Sequence, residues 1–259
     1  MMHIEVASRT ETGARPYNED DLRHGRTGPL VYAVLADGAG GHSHGATASD
    51  IVVRSVALSL QRLQDWPQEL AGPVLAQTIQ LAQDTLNAGQ HGLKAHQRMH
   101  ATVVALWLNA QAGLAVWGHV GDSRLYRVRQ GVAEQLTVDD SVVQQMVSAG
   151  FITPEDARHH PRKNQLLAAL GSEEPVEVHI PRQPEAVIEG DAYLLCCDGW
   201  WDALTPRDIA RTLDAAGSAD AWLDHMAGQI QAAQLPNQDN YSALAIWVGD
   251  PHEVTRIGG

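Results

Sequence analysis

The sequence has few cysteines and no long apolar run. Its two cysteines, Cys196 and Cys197, are neighbours inside an apolar segment. Adjacent cysteines make a poor structural disulfide, so we interpret both as buried free thiols. Such cysteine usage argues against a disulfide-stapled secreted framework and is typical of a reducing interior. We therefore expect a cytoplasmic protein.

Basic residues are also scarce, with 18 Lys and Arg against 31 Asp and Glu and a formal net charge of -13. That charge disfavours nonspecific binding to nucleic acid and to anionic membranes. No apolar stretch is long enough to span a bilayer. The start, Met1-Met2-His3-Ile4-Glu5, lacks the basic end and apolar block of a signal peptide. We expect no nucleic-acid partner and no membrane insertion.

The apolar pattern over 259 residues predicts a single domain, 1–259, with an α+β fold. A buried strand at 30–36 precedes two helices, at about 46–63 and from Val74 to Leu86. Further strands are predicted at 101–108, 114–120, 125–128, 192–197 and 243–248. Short links between the middle strands favour antiparallel pairing, so we expect antiparallel sheets covered by helices. A segment at about 140–175 has charge, Pro and His without clear periodicity, and we interpret it as a mobile flap.

Four acidic stations are spread along the chain: Arg15-Pro16-Tyr17-Asn18-Glu19-Asp20, Ala36-Asp37-Gly38-Ala39-Gly40-Gly41-His42, Cys197-Asp198-Gly199 and Gln238-Asp239-Asn240. Taken alone, Asp-Gly after a strand is usually a turn, and Asp122-Ser123 is typical of a hairpin turn. Carboxylates presented together instead suit hard divalent cations such as Mg²⁺ or Mn²⁺. An arginine beside them suits a phosphate. The stations together suggest metal-assisted chemistry on a phosphate ester.

The order of these motifs resembles the metal-dependent Ser/Thr protein phosphatases of the PPM (2C) type, in particular their bacterial members. The resemblance runs from about Gly13 to Val248. Besides the four stations it includes His119-Val120-Gly121-Asp122-Ser123-Arg124, Gln135-Leu136-Thr137-Val138-Asp139, Gly150-Phe151-Ile152-Thr153-Pro154-Glu155-Asp156-Ala157 and Ala169-Leu170-Gly171. It implies a four-layer α-β-β-α sandwich of two antiparallel sheets flanked by helices.

The resemblance also implies a site that holds two Mn²⁺ or Mg²⁺ ions, with a possible third. Asp37 is expected to bridge two ions, and Gly38 to offer its carbonyl to one. Asp198 and Asp239 are expected to complete the direct ligands, while Asp20 and Glu19 act through water. These roles remain expectations from the family pattern.

Three further residues take roles from the same resemblance. Asp122 matches the position for a third, weaker ion shared with Asp198. Arg15 matches the arginine that binds phosphate. The leaving group needs a proton, from metal-bound water or from an acid, for which His42 is a candidate. Cys196 and Cys197 are interpreted as packing residues, because hydrolysis by a metal-activated water needs no covalent enzyme intermediate.

The expected activity is hydrolysis of phosphoserine and phosphothreonine in proteins, which reverses a Ser/Thr kinase. Phosphorylated proteins and a cognate kinase are the expected partners, and we expect a monomer. A non-catalytic phosphoprotein-binding regulator of the same fold is the alternative. A metal phosphoesterase of another kind, such as a nuclease, is disfavoured by the lack of a basic stripe.

Overall fold

The computed structural model describes residues 1–39, 44–94, 97–234 and 237–249. Their strands form two antiparallel sheets. The first sheet has the spatial order β1 (Ile4–Glu11), β11 (Tyr241–Val248), β10 (Ala192–Cys196), β7 (Arg124–Arg129) and β8 (Val132–Gln135). The second has the order β2 (Asp20–Thr27), β3 (Leu30–Ala39), β5 (Val103–Asn109), β6 (Leu114–Val120) and β9 (Glu185–Ala186), with β4 (His100–Ala101) paired to β3.

Seven helices accompany these sheets in the described residues. They are α1 (His44–Arg62), α2 (Ala71–Gly89), α3 (Val142–Ser148), α4 (Pro154–His159), α5 (Asp198–Trp201), α6 (Pro206–Asp214) and α7 (Ala219–Ala232). None of the helices in this part of the chain combines the length and apolar character needed to cross a membrane.

Three apolar clusters hold the layers together. Val34 belongs to the cluster that joins the second sheet to α1 and α2. Leu35, the next residue of β3, points the opposite way, into the cluster between the two sheets. A third cluster, which includes Trp200 and Trp222, joins the first sheet to α6 and α7. Because β3 is covered on both faces, it has a continuous apolar run. The predicted four-layer α-β-β-α sandwich is confirmed.

The link Gly121-Asp122-Ser123 is not the hairpin turn that its length indicated. It carries the chain from β6 in the second sheet to β7 in the first, so these consecutive strands do not pair. Gly121 has φ +99°, and a Cβ there would lie 2.7 Å from Thr102 Cγ2. The crossing therefore requires glycine. It leaves Asp122 at the end of the sandwich where β3 also ends.

The flap segment contains two short helices with recognisable starts. Ser141 caps α3 by accepting a hydrogen bond from Gln144 N, and Thr153 caps α4 in a capping box with Asp156. Backbone hydrogen bonds close the base of the segment, including one of 2.9 Å from Val142 N to Gln165 O. The mobility of the flap stays a prediction.

Candidate metal centre

Strand pairing brings the first two acidic stations together. In the register of β2 with β3, Asp20 lies opposite Asp37. The ligand atoms of Asp20, Asp37 and the Cys197 thiol all lie within 4.8 Å of one another. Asp37 is fixed by its own backbone, since its N–H donates to Thr102 Oγ1 at 3.0 Å and its carbonyl accepts from Thr102 N at 2.8 Å.

A close backbone contact joins the last two stations. A Cβ on Gly199 would lie 2.1 Å from the Asn240 carbonyl oxygen, so only glycine allows the start of α5 to approach the start of β11. Asn240 also accepts a hydrogen bond of 2.9 Å from Glu19 N, and it donates to the carbonyls of Thr12 and Tyr17. The Asn240 side chain thus ties the loop that carries Arg15 to the loop that carries Asp239.

These contacts place the predicted residues around one cavity of about 380 Å³. The predicted residues that line it are Arg15, Glu19, Asp37, Gly38, Asp122, Asp198 and Asp239. Asp20 stands beside Asp37, as described above. The remaining candidate, His42, lies outside the described residues. The structure therefore brings together every described residue of the predicted site.

The aspartates of this site lie close together and largely away from solvent, so their negative charges repel one another. Burial raises the pKa of Asp20 to about 6, although hydrogen bonds from Ser242 and Cys197 oppose the shift. Burial and the charge of Asp239 raise the pKa of Asp198 to about 7. The pKa values of Asp37 and Asp122 are raised well above the usual range, again chiefly by burial and then by neighbouring aspartates.

The donor set fits divalent metal ions. Glu19 Oε1, Asp20 Oδ1 and Asp198 Oδ1 are buried without a hydrogen-bond partner among the described residues. Buried carboxylate oxygens are rarely left unpaired, because the loss of water is costly. Oxygen ligands of negative charge are what Mg²⁺ and Mn²⁺ prefer. A bound cation would supply the missing partner and would reverse the repulsion.

Two cations, Arg15 and Lys163, lie beside the carboxylates. Arg15 Nη2 donates to Asp239 Oδ2 at 2.5 Å, and about half of the Arg15 side chain is exposed. Lys163, from the flap, forms an ion pair with Asp202. A second cavity, of about 280 Å³, is lined by Arg15, Lys163, Asp198, Asp202 and Asp239. Arg15 is therefore held at the carboxylates and faces the space from which a phosphate would approach.

Sequence reasoning missed residues that support the ligands. Trp201 is buried, and its Nε1 donates to the Asp122 carbonyl at 2.9 Å. Asp140 accepts from Gly121 N at 2.9 Å and so holds the same loop. The neighbouring tryptophans Trp200 and Trp201 are a visible signal in the sequence, but a sequence does not indicate which atom a side chain contacts.

Cys197 has a role beyond packing. Its thiol lies 3.2 Å from Asp20 Oδ2 and accepts a hydrogen bond of 3.1 Å from Ser242 N. Burial raises the pKa of Cys197 well above its usual value, so the thiol stays protonated and donates a hydrogen bond to the Asp20 carboxylate. Cys196 points into the cluster under α7 instead. The two neighbouring cysteines therefore face different environments.

We expect Cys197→Ala to weaken Mn²⁺ binding on the order of tenfold, because residues that orient a ligand affect metal affinity on that scale. Cys197→Ser keeps a donor of similar size and should retain most of the affinity. Cys196→Ala is the matched control, since it removes a buried thiol that has no contact with Asp20. Calorimetric Mn²⁺ titration measures all three. Equal affinities for Cys197→Ala and the wild type would contradict the role.

The raised pKa values predict how stability depends on pH. Because Asp20 and Asp198 bind protons more tightly when folded, they stabilise the metal-free protein below pH about 4, and this contribution is lost as pH rises through 6 to 7. Metal ions must displace those protons. We therefore expect the rise in Tm on adding Mn²⁺ to be larger at pH 7.5 than at pH 5.5. Thermal unfolding with and without Mn²⁺ measures it, and an equal rise at both pH values would contradict the prediction.

The fold and this centre define a class of protein: a two-sheet sandwich with a carboxylate site for divalent metals at one end. The family model described as "Protein phosphatase 2C" matches residues 11–238. The chain therefore belongs to the protein phosphatase 2C family.

Relatives of the chain carry corresponding names. "Serine/threonine phosphatase stp" of Listeria monocytogenes is 34% identical over 261 residues, which cover 95% of each protein. "Serine/threonine protein phosphatase PstP" of Mycobacterium tuberculosis is 33% identical over 227 residues, 84% of this chain. The match covers only 40% of the length of PstP.

A solved structure shares the fold over nearly the whole chain. The catalytic domain of PstP, in complex with two manganese ions, superposes with a TM-score of 0.82 at 27% identity. The superposition covers 96% of this chain and 100% of that one.

Proposed function

We propose that this protein is a metal-dependent Ser/Thr protein phosphatase, which hydrolyses phosphoserine and phosphothreonine in proteins. The observation that carries the proposal is the convergence of four aspartates from separate segments on one cavity, Asp37, Asp122, Asp198 and Asp239, with Asp20 beside Asp37. Membership of the protein phosphatase 2C family supports it, as do the names of the relatives. The two manganese ions in the PstP domain support Mn²⁺ or Mg²⁺ as the cofactor, as two ions with a possible third.

In this proposal the carboxylates hold the ions. Asp37, Asp198 and Asp239 are direct ligands, and Gly38 contributes its carbonyl. Asp20 and Glu19 support the ions from the buried side, while Asp122 and Asp198 form the third, weaker position. When bound, the ions supply an activated water and neutralise the charge of the phosphate.

Arg15 is the residue that grips the substrate. Its guanidinium is held at Asp239 and about half exposed, and a guanidinium at this place could grip phosphate oxygens in a two-pronged contact. It would then stabilise the negative charge that these oxygens carry in the transition state. Donation of a proton by His42 to the leaving oxygen stays a prediction.

Two features support catalysis over the alternative of a non-catalytic regulator. All three proposed direct carboxylates are present, and together with Arg15 they line a cavity of about 380 Å³. We further propose that the chain forms one phosphatase domain, acts as a monomer and opposes a Ser/Thr kinase. The family match over 11–238 supports the single domain.

The test compares three substrates in the presence of Mn²⁺. We expect phosphate release from a phosphothreonine peptide and from a small aryl phosphate, and no cleavage of DNA. Tight binding of the phosphopeptide without release would favour the regulator. Cleavage of DNA with no activity on the peptide would favour a nuclease.

A further inference from the structure

The flap carries a basic run that contrasts with the acidic protein. Residues 158–163 read Arg158-His159-His160-Pro161-Arg162-Lys163, with three cations, two histidines and no acid. The chain as a whole has a formal net charge of -13. We name this run the basic flap segment. Against an acidic surface, such a cluster marks a place that attracts negative charge.

The basic flap segment borders a groove beside the cavity that contains Arg15 and Asp239. The groove has a volume of about 420 Å³ and lies between β7, the helices α3 and α4, and the start of α6. Arg158 and Lys163 line it, and Trp201 lies at its base. Lys163 also lines the cavity that contains Arg15 and Asp239. The groove and the space in which we propose that the phosphate binds therefore adjoin at Lys163.

Some charges of the groove are already neutralised. Arg124 forms a bidentate ion pair with Asp139, with a shortest distance of 2.7 Å, and stacks 3.6 Å above the Trp201 ring. Lys163 is paired with Asp202. Arg124 and Lys163 line the groove, but the charge of each is already paired with a carboxylate.

Among the residues that the structure describes, two guanidiniums of the segment have no carboxylate partner. Arg158 is partly exposed and forms no ion pair with any described residue. Arg162 is engaged only within the flap, where Nε donates to Gln165 Oε1 at 2.7 Å. Glu155 is an acid of the flap that also lines the groove. Its Oε1 lies 3.6 Å from His159 Nε2. Arg158 and Arg162 are therefore the cations that remain available to a partner.

We propose that the basic flap segment and its groove bind acidic side chains that flank the phosphorylated residue, so that the substrates are phosphoproteins with Asp or Glu close to the phosphosite. The proposal rests on the proposed phosphatase function and adds the substrate class. An extended peptide with its phosphate at Arg15 would pass Lys163 and enter the groove. Arginine pairs well with carboxylates, and complementary charge at the edge of a site raises association rates and selects partners.

The test measures kcat/KM on phosphothreonine peptides that differ only in flanking residues, with Asp and Glu in one and Asn and Gln in the other. At low salt we expect about a tenfold preference for the acidic peptide, since several exposed charge pairs each contribute a modest factor. The double variant Arg158→Gln with Arg162→Gln should reduce the preference to about twofold. Replacement of both by Lys should keep most of it, and added salt should diminish it.

Arg62→Gln is the matched control. Arg62 is exposed at the last turn of α1, far from the end of that helix where Ser49 contacts Glu19. The Arg62→Gln variant should keep the full preference for the acidic peptide. A wild type without preference for the acidic peptide, or a double variant that retains it, would overturn the proposal. Hydrolysis of a small aryl phosphate distinguishes failure of the proposed phosphatase function from failure of the inference about acidic substrates. If no phosphoester is hydrolysed, the proposed function itself fails, whereas aryl phosphate hydrolysis without acidic preference overturns only this inference.

Discussion

Asp37→Asn is expected to reduce phosphate release from a phosphothreonine peptide by at least about a thousandfold, or roughly 4 kcal/mol of transition-state stabilisation. The reason is its place at the centre of the cluster, where the charges of Asp20, Asp198, Asp122 and Asp239 all act on it. Asn keeps the shape of the side chain but removes the charge that attracts the cations. The backbone contacts with Thr102 do not use the side chain, so the fold should persist.

The matched control for this variant is Asp214→Asn. Asp214 is exposed at the end of α6 and forms no ion pair in the described part of the chain, so its loss should leave turnover unchanged. Stability provides a second measurement. Because Asp37→Asn relieves repulsion among buried carboxylates, the metal-free variant should unfold at a Tm no lower than that of the wild type. A folded Asp37→Asn protein with wild-type kcat/KM would contradict the role of the centre.

Arg15→Ala is expected to reduce kcat/KM on the order of a hundredfold, since loss of one charged donor at a phosphate has about that effect. Lys should restore activity only in part, because it keeps the charge but loses the planar fork. The pairing of Arg15 with Asp239 adds an expectation about metal affinity. Removal of a competing cation should tighten Mn²⁺ binding by about two- to fivefold, a modest change because Arg15 is half exposed.

Steady-state kinetics and calorimetric Mn²⁺ titration on the same Arg15 variants separate these effects. Arg62→Ala serves as the control for removal of an exposed arginine. Unchanged kcat/KM in Arg15→Ala would refute its role in gripping phosphate. A collapse of Mn²⁺ binding would instead mean that Arg15 organises the metal centre.

The sequence predicted those parts of the site that lie at the ends of buried strands. Asp37 and Asp198 follow continuous apolar runs, and such runs indicate buried strands, so each acid was expected near the C-terminal end of a strand. The resemblance to protein phosphatases then supplied the order of the motifs, and the family and the four-layer fold are confirmed. The convergence of the described candidates on one cavity was expected for the same reason.

Other features had no local signal. The strands β1 and β2 were missed because they lie at sheet edges, and β2, which reads Asp-Asp-Leu-Arg-His-Gly-Arg-Thr, has no apolar run. The crossing at Gly121 was mistaken for a hairpin because a short link does not reveal which sheet the next strand joins. Contacts such as Cys197 with Asp20 join residues far apart in sequence. Only the packed structure specifies them.

In the proposed mechanism the carboxylate centre drives hydrolysis through divalent ions. The most direct test removes all divalent metal with a chelator, exchanges the protein into metal-free buffer and then titrates Mn²⁺ while measuring phosphate release from a phosphothreonine peptide. We expect no turnover in the metal-free protein and a return of activity as Mn²⁺ fills the centre. Full turnover in the absence of divalent ions would contradict it.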